Sequence, residues 1–267
     1  MSSTLCETSV AIGGWTNDGV HVSEEGAARP SGWRRERSAP AQEPLSIDRI
    51  VSTAIDLVDR EGLDALSMRR LGAELGAGAT TLYWHVKNKD ELLDLALDQL
   101  FSEFEAPDPA LPWRDQLREL AHALRRVLLR HRNLIMVIAS RPTTGPNAVA
   151  SIDLLLGVVR GAGFPDDQVV LASLALLNYT SGYAVLEAAS LSQFGPGEDE
   201  ATVRMAVQKS TERTMEFILT LPAEQFPNVQ LVGRHLVEVD DDTRFEYGLE
   251  RMLDGFEAAL GRSRGDA

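Results

Sequence analysis

Between Ala79 and His85 the run ATTLYWH gathers two hydroxyls, a phenol, an indole and an imidazole around one aliphatic residue, Leu82. Threonine hydroxyls, tyrosine, tryptophan and histidine all donate to phosphate oxygens, and a threonine methyl can meet the methyl of thymine. Thr80, Thr81, Tyr83, Trp84 and His85 therefore suit a helix laid against a nucleic-acid groove. They suit an interior poorly, where each polar tip needs its own partner. Arg69, a little upstream, carries a guanidinium that can read a guanine edge bidentately or hold a phosphate, and Lys89 supplies a point charge for the backbone. Arg70 reads as a solvated face charge.

The residue types needed for catalysis are not arranged for it. The chain has no G-x-S-x-G, H-E-x-x-H or G-x-x-x-x-G-K-[ST] pattern, and Gly76-Ala77-Gly78 follows a helical rather than a strand-like segment. Cys6 is the single cysteine, which excludes an internal disulfide and any cysteine-based zinc cluster. His122, His131 and His235 lack a spacing that would assemble a metal site with a carboxylate. No catalytic residue, metal or cofactor is expected.

The elements that must position these groups are helices. Ile47, Ile50, Val51, Ala54, Leu57 and Val58 recur at three- and four-residue steps, with Ser46 as N-cap and Gly62 past the end. A second helix starts at Ser67 and runs through Met68 and Leu71 to Leu75, and a third covers 79–85. Asn88 or Lys89 then opens a long helix through Leu92, Leu93, Ala96, Leu97, Leu100, Phe101 and Phe104, closed by Pro107, Pro109 and Pro112. Further helices are expected near 113–131, 133–140, 146–162, 166–192, 199–219 and 241–260, with a Pro-containing connection at 221–240. No convincing period-two alternation or 20- to 50-residue repeat is visible, so the fold class is all-α. The chain divides into a flexible extension (1–44), a first helical unit (45–105), a larger helical unit (106–262) and a tail (263–267). Within the extension, Arg34-Arg35-Glu36-Arg37 is either a solubilising tail or an arm for a minor groove.

Two short helices about a glycine-containing turn form a helix-turn-helix pattern. The stretch LSMRRLGAELGAGATTLYWHVKNKDELLDLALDQL, Leu66 to Leu100, resembles the DNA-binding end of the tetracycline-repressor (TetR) family, most closely in TLYWHVKNK, Thr81 to Lys89. LLRHRN (128–133), Arg141-Pro142, Leu186-Glu187 and RFEYGLERMLDGFEAAL (244–260) extend the resemblance, more weakly, to the family's C-terminal domain. It implies a three-helix DNA-binding domain followed by a helical ligand-binding and dimerisation bundle. Its expected function is a homodimeric repressor on a pseudo-palindromic double-stranded DNA operator, released by a small hydrophobic ligand. The alternative is a ligand-independent regulator or activator of the same fold; an enzyme is remote.

The resemblance also distributes roles. A base-reading amide position near the start of the third helix falls at Ala79, so direct readout should be thinner here. Positions of metal- and drug-binding histidines fall at Glu105 and at Val137 or Ile138, an amide that holds the drug falls at Leu120, and a pocket aromatic at Leu124. A more apolar cavity is implied, lined by Leu120, Leu124, Val137, Ile138, Ile152 and Leu155, with Arg141, Asn178 or Glu187 as polar anchors. In the last helix Phe245, Leu249, Met252, Phe256 and Leu260 make an apolar stripe, and Gly248 and Gly255 lie seven residues apart. On sequence alone an intramolecular neighbour satisfies that pattern equally well. The resemblance favours a dimer interface through Gly248, Leu249, Met252, Gly255 and Phe256, made with the helix at 166–192.

The charge balance of −14, from 26 Lys and Arg against 40 Asp and Glu, stands at odds with DNA when read over the whole chain. The balance reverses locally: Arg69 to Lys89 contains four basic groups and only Glu74 acidic. With a screening length of about 8 Å, phosphates feel mainly that patch. The apolar run Val169 to Leu177 is broken by Asn178, Thr180, Ser181 and Glu187, and the first residues lack the pattern of a secretory signal. A soluble cytoplasmic protein without a membrane partner is expected.

Overall fold

The computed structural model describes residues 45–141, 144–191 and 200–265. The extension over 1–44, with the Arg34–Arg37 cluster, lies outside the described residues, as does Pro142. Among the described residues there is no strand. The helices are α1 (Ile47–Glu61), α2 (Met68–Glu74), α3 (Ala79–Leu82), α4 (Lys89–Phe101), α5 (Trp113–Arg130), α6 (Ile135–Ser140), α7 (Pro146–Gly161), α8 (Asp166–Leu191), α9 (Glu200–Ile218), α10 (Pro227–Val232), α11 (His235–Glu238) and α12 (Asp241–Gly265).

Side chains set the helix starts. Ser46 accepts from the Arg49 amide, Ser67 from the Arg70 amide and Asn88 from the Glu91 amide, each satisfying a donor that the first turn leaves open. Glu91 completes a reciprocal cap at α4 by accepting from the Lys87 amide at 2.5 Å. The start of α7 is capped by a residue of another helix. Asp98 of α4 accepts from the amides of Asn147 and Ala148 through Oδ1, both at 3.0 Å, and from Asn147 Nδ2 through Oδ2.

Four features differ from expectation. Helix α3 ends at Leu82 instead of continuing to His85, because Tyr83 to His85 form turns that carry the chain to Asn88. Phe104 lies beyond α4, and the connection 221–240 contains α10 and α11. At the far end α12 continues to Gly265, into the segment expected to be a tail.

Among the described residues, two larger hydrophobic cores and a smaller cluster around Leu124, Leu128 and Ala184 organise the chain. The first packs α1 to α4 around Ile50, Leu57, Leu71, Leu82, Leu92 and Leu97, with Val127, Leu134 and Val137 added from the larger unit. The second packs α5, α7, α8 and α12 around Leu117, Val159, Leu176, Phe245, Leu249 and Leu253. Helix α8 has the length and composition to cross a membrane. Here it lies against α5, α7 and α12, and Val169, Ala172, Leu176, Ala184 and Ala188 are buried.

A buried ion cluster crosses this second unit. Glu187 of α8 accepts from Arg125 of α5 at 2.8 and 3.0 Å and from Arg204 of α9 at 3.0 Å. Arg125 also meets Asp242 of α12 at 2.7 Å, and its guanidinium stands 4.7 Å from the centroid of the Phe245 ring. Burial alone would weaken the hold of Arg125 on its proton; Glu187 and Asp242 more than offset this. Nearby, the Tyr183 hydroxyl donates to the Asp241 carbonyl and is pushed up to about 12 by burial.

Candidate nucleic-acid interface and internal cavity

The α2–α3 unit rests on two glycines. Gly76 has φ of 66°, a left-handed turn position that favours glycine. Gly72 lets α2 meet the turn: a Cβ there would stand 2.7 Å from the Ala77 carbonyl oxygen and 3.3 Å from the Ala79 nitrogen. Leu82 is fully buried and anchors α3 from beneath.

Anchoring Leu82 turns its neighbours outward. Thr80 and Thr81 are exposed, Tyr83 is 53% exposed and Trp84 85% exposed, while His85 is half-buried beside them. Arg69 is exposed on α2, whereas Arg70 binds Glu61 at 2.7 Å and Glu74 at 2.8 Å. The solvated-charge reading of Arg70 thus becomes an ion network, which Arg60 joins through the same two glutamates. Lys89 is half-buried, with its amine 3.5 Å from the Leu63 carbonyl at the start of α4. The two arginines and two glutamates of this network cancel, so the positive balance of the linear count rests on Arg69, Lys87 and Lys89. Glu61, nine residues before Arg70, is shared between Arg60 and Arg70.

The larger unit grips the first through the LLRHRN segment. His131 is buried, with Nδ1 2.6 Å from Asp59 of α1 and Nε2 3.1 Å from Glu103 beyond α4. Asn133 donates to the carbonyls of Val58 and Asp59 at 3.0 and 3.1 Å, and Arg130 meets Glu103 at 2.7 Å. Burial disfavours the imidazolium, yet the bond and charge of Asp59, with Glu103, raise the His131 pKa above its ordinary value. A group whose folded pKa is raised stabilises fully below its unfolded value, about 6.5, and its contribution disappears as pH rises through the folded value. The melting temperature of the native chain should therefore fall relative to His131→Gln as pH rises through that window. Parallel curves for the two chains would show that this contact carries no proton linkage.

A cavity of about 260 Å³ lies between α5, α7 and α8. Of the residues expected to line it, Leu120, Leu124, Ile152 and Leu155 do so. Its remaining wall includes Phe101 and Phe104, whose rings stack 5.6 Å apart, together with Ser151, Val170, Ser173 and Thr180. Ile152, Val170 and Leu174 are also exposed, so the cavity opens on their side.

Five expected lining residues are elsewhere. Val137 is buried in the core shared with α1 to α4, and Ile138 packs against that core and against the cluster of Leu124 and Ala184. Arg141 is held by Asp90 and Asp94 of α4 at 2.5 and 3.2 Å, Asn178 is exposed on α8, and Glu187 belongs to the buried ion cluster. Arg141 and Glu187 have partners far along the chain that spacing could not reveal. The missed pair, Ser173 and Thr180, did leave a signal: two hydroxyls seven residues apart in an apolar run.

The α12 residues assigned to a dimer interface are likewise mostly occupied within the chain. Gly248 faces the Tyr179 ring of α8, whose hydroxyl donates to the Phe245 carbonyl at 2.7 Å. Leu249 is fully buried, while Met252 and Phe256 pack partly buried on the same core, Phe256 edge-on to Phe164. Only Gly255 of the five is exposed, with nothing within 4 Å of a Cβ position. The close-approach role of Gly248 is filled by Tyr179.

Residues 50–96 match the family described as bacterial regulatory proteins, tetR family, and residues 106–260 match the tetracyclin repressor-like C-terminal domain. The chain is 35% identical to an HTH-type transcriptional regulator of Saccharopolyspora erythraea over 90% of this chain and 96% of that one. It is 32% identical to the HTH-type transcriptional repressor DrrR1 of Streptomyces coeruleorubidus, over 87% and 85%. Among solved structures, the TetR family protein ActR of Streptomyces coelicolor in complex with actinorhodin aligns with a TM-score of 0.69 and 36% identity, covering 82% of this chain and 99% of that chain.

Proposed function

Because the chain belongs to the TetR family of bacterial regulatory proteins, and is a DNA-binding transcriptional regulator and not an enzyme, we propose that it is a cytoplasmic homodimeric repressor, released from a pseudo-palindromic operator by a small hydrophobic effector in the α5–α7–α8 cavity. The observation that carries this reading is the placement of α4. Its last residue, Phe101, is cavity wall, and its first, Lys89, adjoins the reading segment. A helix of 13 residues spans about 20 Å, so occupancy at one end is transmitted as tilt at the other.

Tyr83, Trp84, Thr80, Thr81 and His85 supply phosphate and thymine-methyl contacts, with Arg69 and Lys89 as the cations. The homodimer is supported by a face of α8 that the described residues leave open. Leu171, Ala175, Asn178, Gly182 and Leu186 are exposed at three- and four-residue steps, Leu171 by 66% and Leu186 by 71%. Nothing lies within 4 Å of a Cβ position at Gly182, or at Gly255 on α12, so a second copy can approach closely there. The likeness to ActR, solved in complex with actinorhodin, supports a small-molecule effector, and the apolar cavity wall supports its hydrophobic class.

The test is an electrophoretic shift on the DNA upstream of the chain's own gene, with hydrophobic metabolites added. An inverted repeat should be bound by two copies and released by at least one compound. Arg69→Ala with Tyr83→Ala should weaken binding roughly 10- to 100-fold, through loss of about 1–3 kcal/mol. Equal binding by the double variant, or no bound inverted repeat, would sink the reading.

A further inference from the structure

The cavity wall contains no ionisable side chain among the described residues; it is hydrocarbon and aromatic except for the hydroxyls of Ser151, Ser173 and Thr180. Ser151 spends its hydroxyl on the Asn147 carbonyl at 2.9 Å. Among the described residues, the other two hydroxyl oxygens are buried without a hydrogen-bond partner, in residues 5% (Ser173) and 0% (Thr180) exposed. Buried hydroxyls are nearly always satisfied, and one left unmade forfeits its hydration with nothing in return. Both belong to α8 and are seven residues apart, which puts them on one face about 10.5 Å apart along the axis.

We infer that the effector is an uncharged, elongated apolar molecule carrying two hydrogen-bonding oxygens about two helical turns apart, one taken by Ser173 and one by Thr180. This rests on the reading of the cavity as the effector site. A carboxylate or an ammonium group would enter a wall with no counter-charge and would lose its hydration uncompensated. A wholly apolar molecule would leave both hydroxyls unpaired. Discrimination by such a wall is strongest against compounds that lack the group it was shaped to pair.

Three biphenyls test the assignment on the full chain by calorimetric titration: 4,4′-dihydroxybiphenyl, biphenyl, and biphenyl-4,4′-dicarboxylate. The diol should bind best, with a gain over biphenyl of roughly two- to tenfold for each hydroxyl. Ser173→Ala and Thr180→Val should each remove one such factor for the diol and leave biphenyl unchanged. Thr180→Val keeps side-chain shape and removes an unpaired oxygen, so its urea midpoint should not fall. The dicarboxylate should not bind. Equal binding of diol and biphenyl, or a diol advantage that survives both substitutions, overturns this inference while leaving the cavity as the effector site. Binding of the dicarboxylate as tightly as the diol overturns the uncharged class. Failure of all three compounds to bind overturns the inference together with the cavity reading beneath it.

Discussion

Glu187→Ala is expected to lower the stability of the folded chain by about 3–5 kcal/mol, the usual cost of removing one partner from a buried ion pair. The carboxylate is the meeting point of two guanidiniums, Arg125 at 2.8 Å and Arg204 at 3.0 Å. Arg125 is itself buried, and its remaining partner, Asp242, is mostly in solvent. Without Glu187 the positive charge stays in a low-dielectric site, cushioned mainly by the faces of Phe245 and Tyr183. Urea denaturation would read the loss. The paired change Arg125→Met with Glu187→Leu should recover most of it, because an apolar pair of similar volume needs no counter-charge. A loss under about 1 kcal/mol in the single variant would place the cluster with exposed ion pairs, which contribute little.

Gly72→Val is expected to damage DNA binding without touching the cavity between α5, α7 and α8. The added carbon meets backbone on both sides, the Ala77 carbonyl oxygen and the Ala79 nitrogen, so no rotamer change relieves it. Overpacking of this kind costs about 1–3 kcal/mol, which is roughly a 10- to 100-fold loss of affinity if spent on displacing α3. Gly78→Ala is the matched control. Its nearest neighbour would be the Thr81 hydroxyl at 3.9 Å, an ordinary contact. Shift assays should separate the two variants, while binding of dihydroxybiphenyl stays equal in both. Equal DNA affinity would mean that the turn absorbs the extra carbons.

The local part of this architecture was legible from residue types. Ser46, Ser67 and Asn88 cap the helices that their positions announced, and Gly62, with φ of 86°, ends α1. Capping depends on neighbours three residues away, so sequence carries it. The extent of α3 was less legible, because Tyr83 and Trp84 tolerate a helix and the turn toward Asn88 is dictated by burial of Leu82 and Val86. Polar residues of the larger unit were least legible. Arg141 finds Asp90 across 51 positions and Arg125 finds Glu187 across 62, and no periodicity encodes such pairings. The same holds for Leu249 and Gly248, which look alike whether α12 meets its own α8 or that of another copy.

The carboxylate of Asp98 sits on α4 while serving as the cap of α7. A tilt of α4 that separates it from the Asn147 and Ala148 amides leaves α7 uncapped, at a cost of about 0.5–2 kcal/mol. On the proposed reading, in which α4 transmits occupancy of the cavity, that cost acts as a detent. It holds the tilted form to roughly 3–30% of an otherwise balanced population. Under the proposed function, one shared carboxylate would set the basal leak of the regulated promoter, and with it the smallest effector occupancy that registers as a signal.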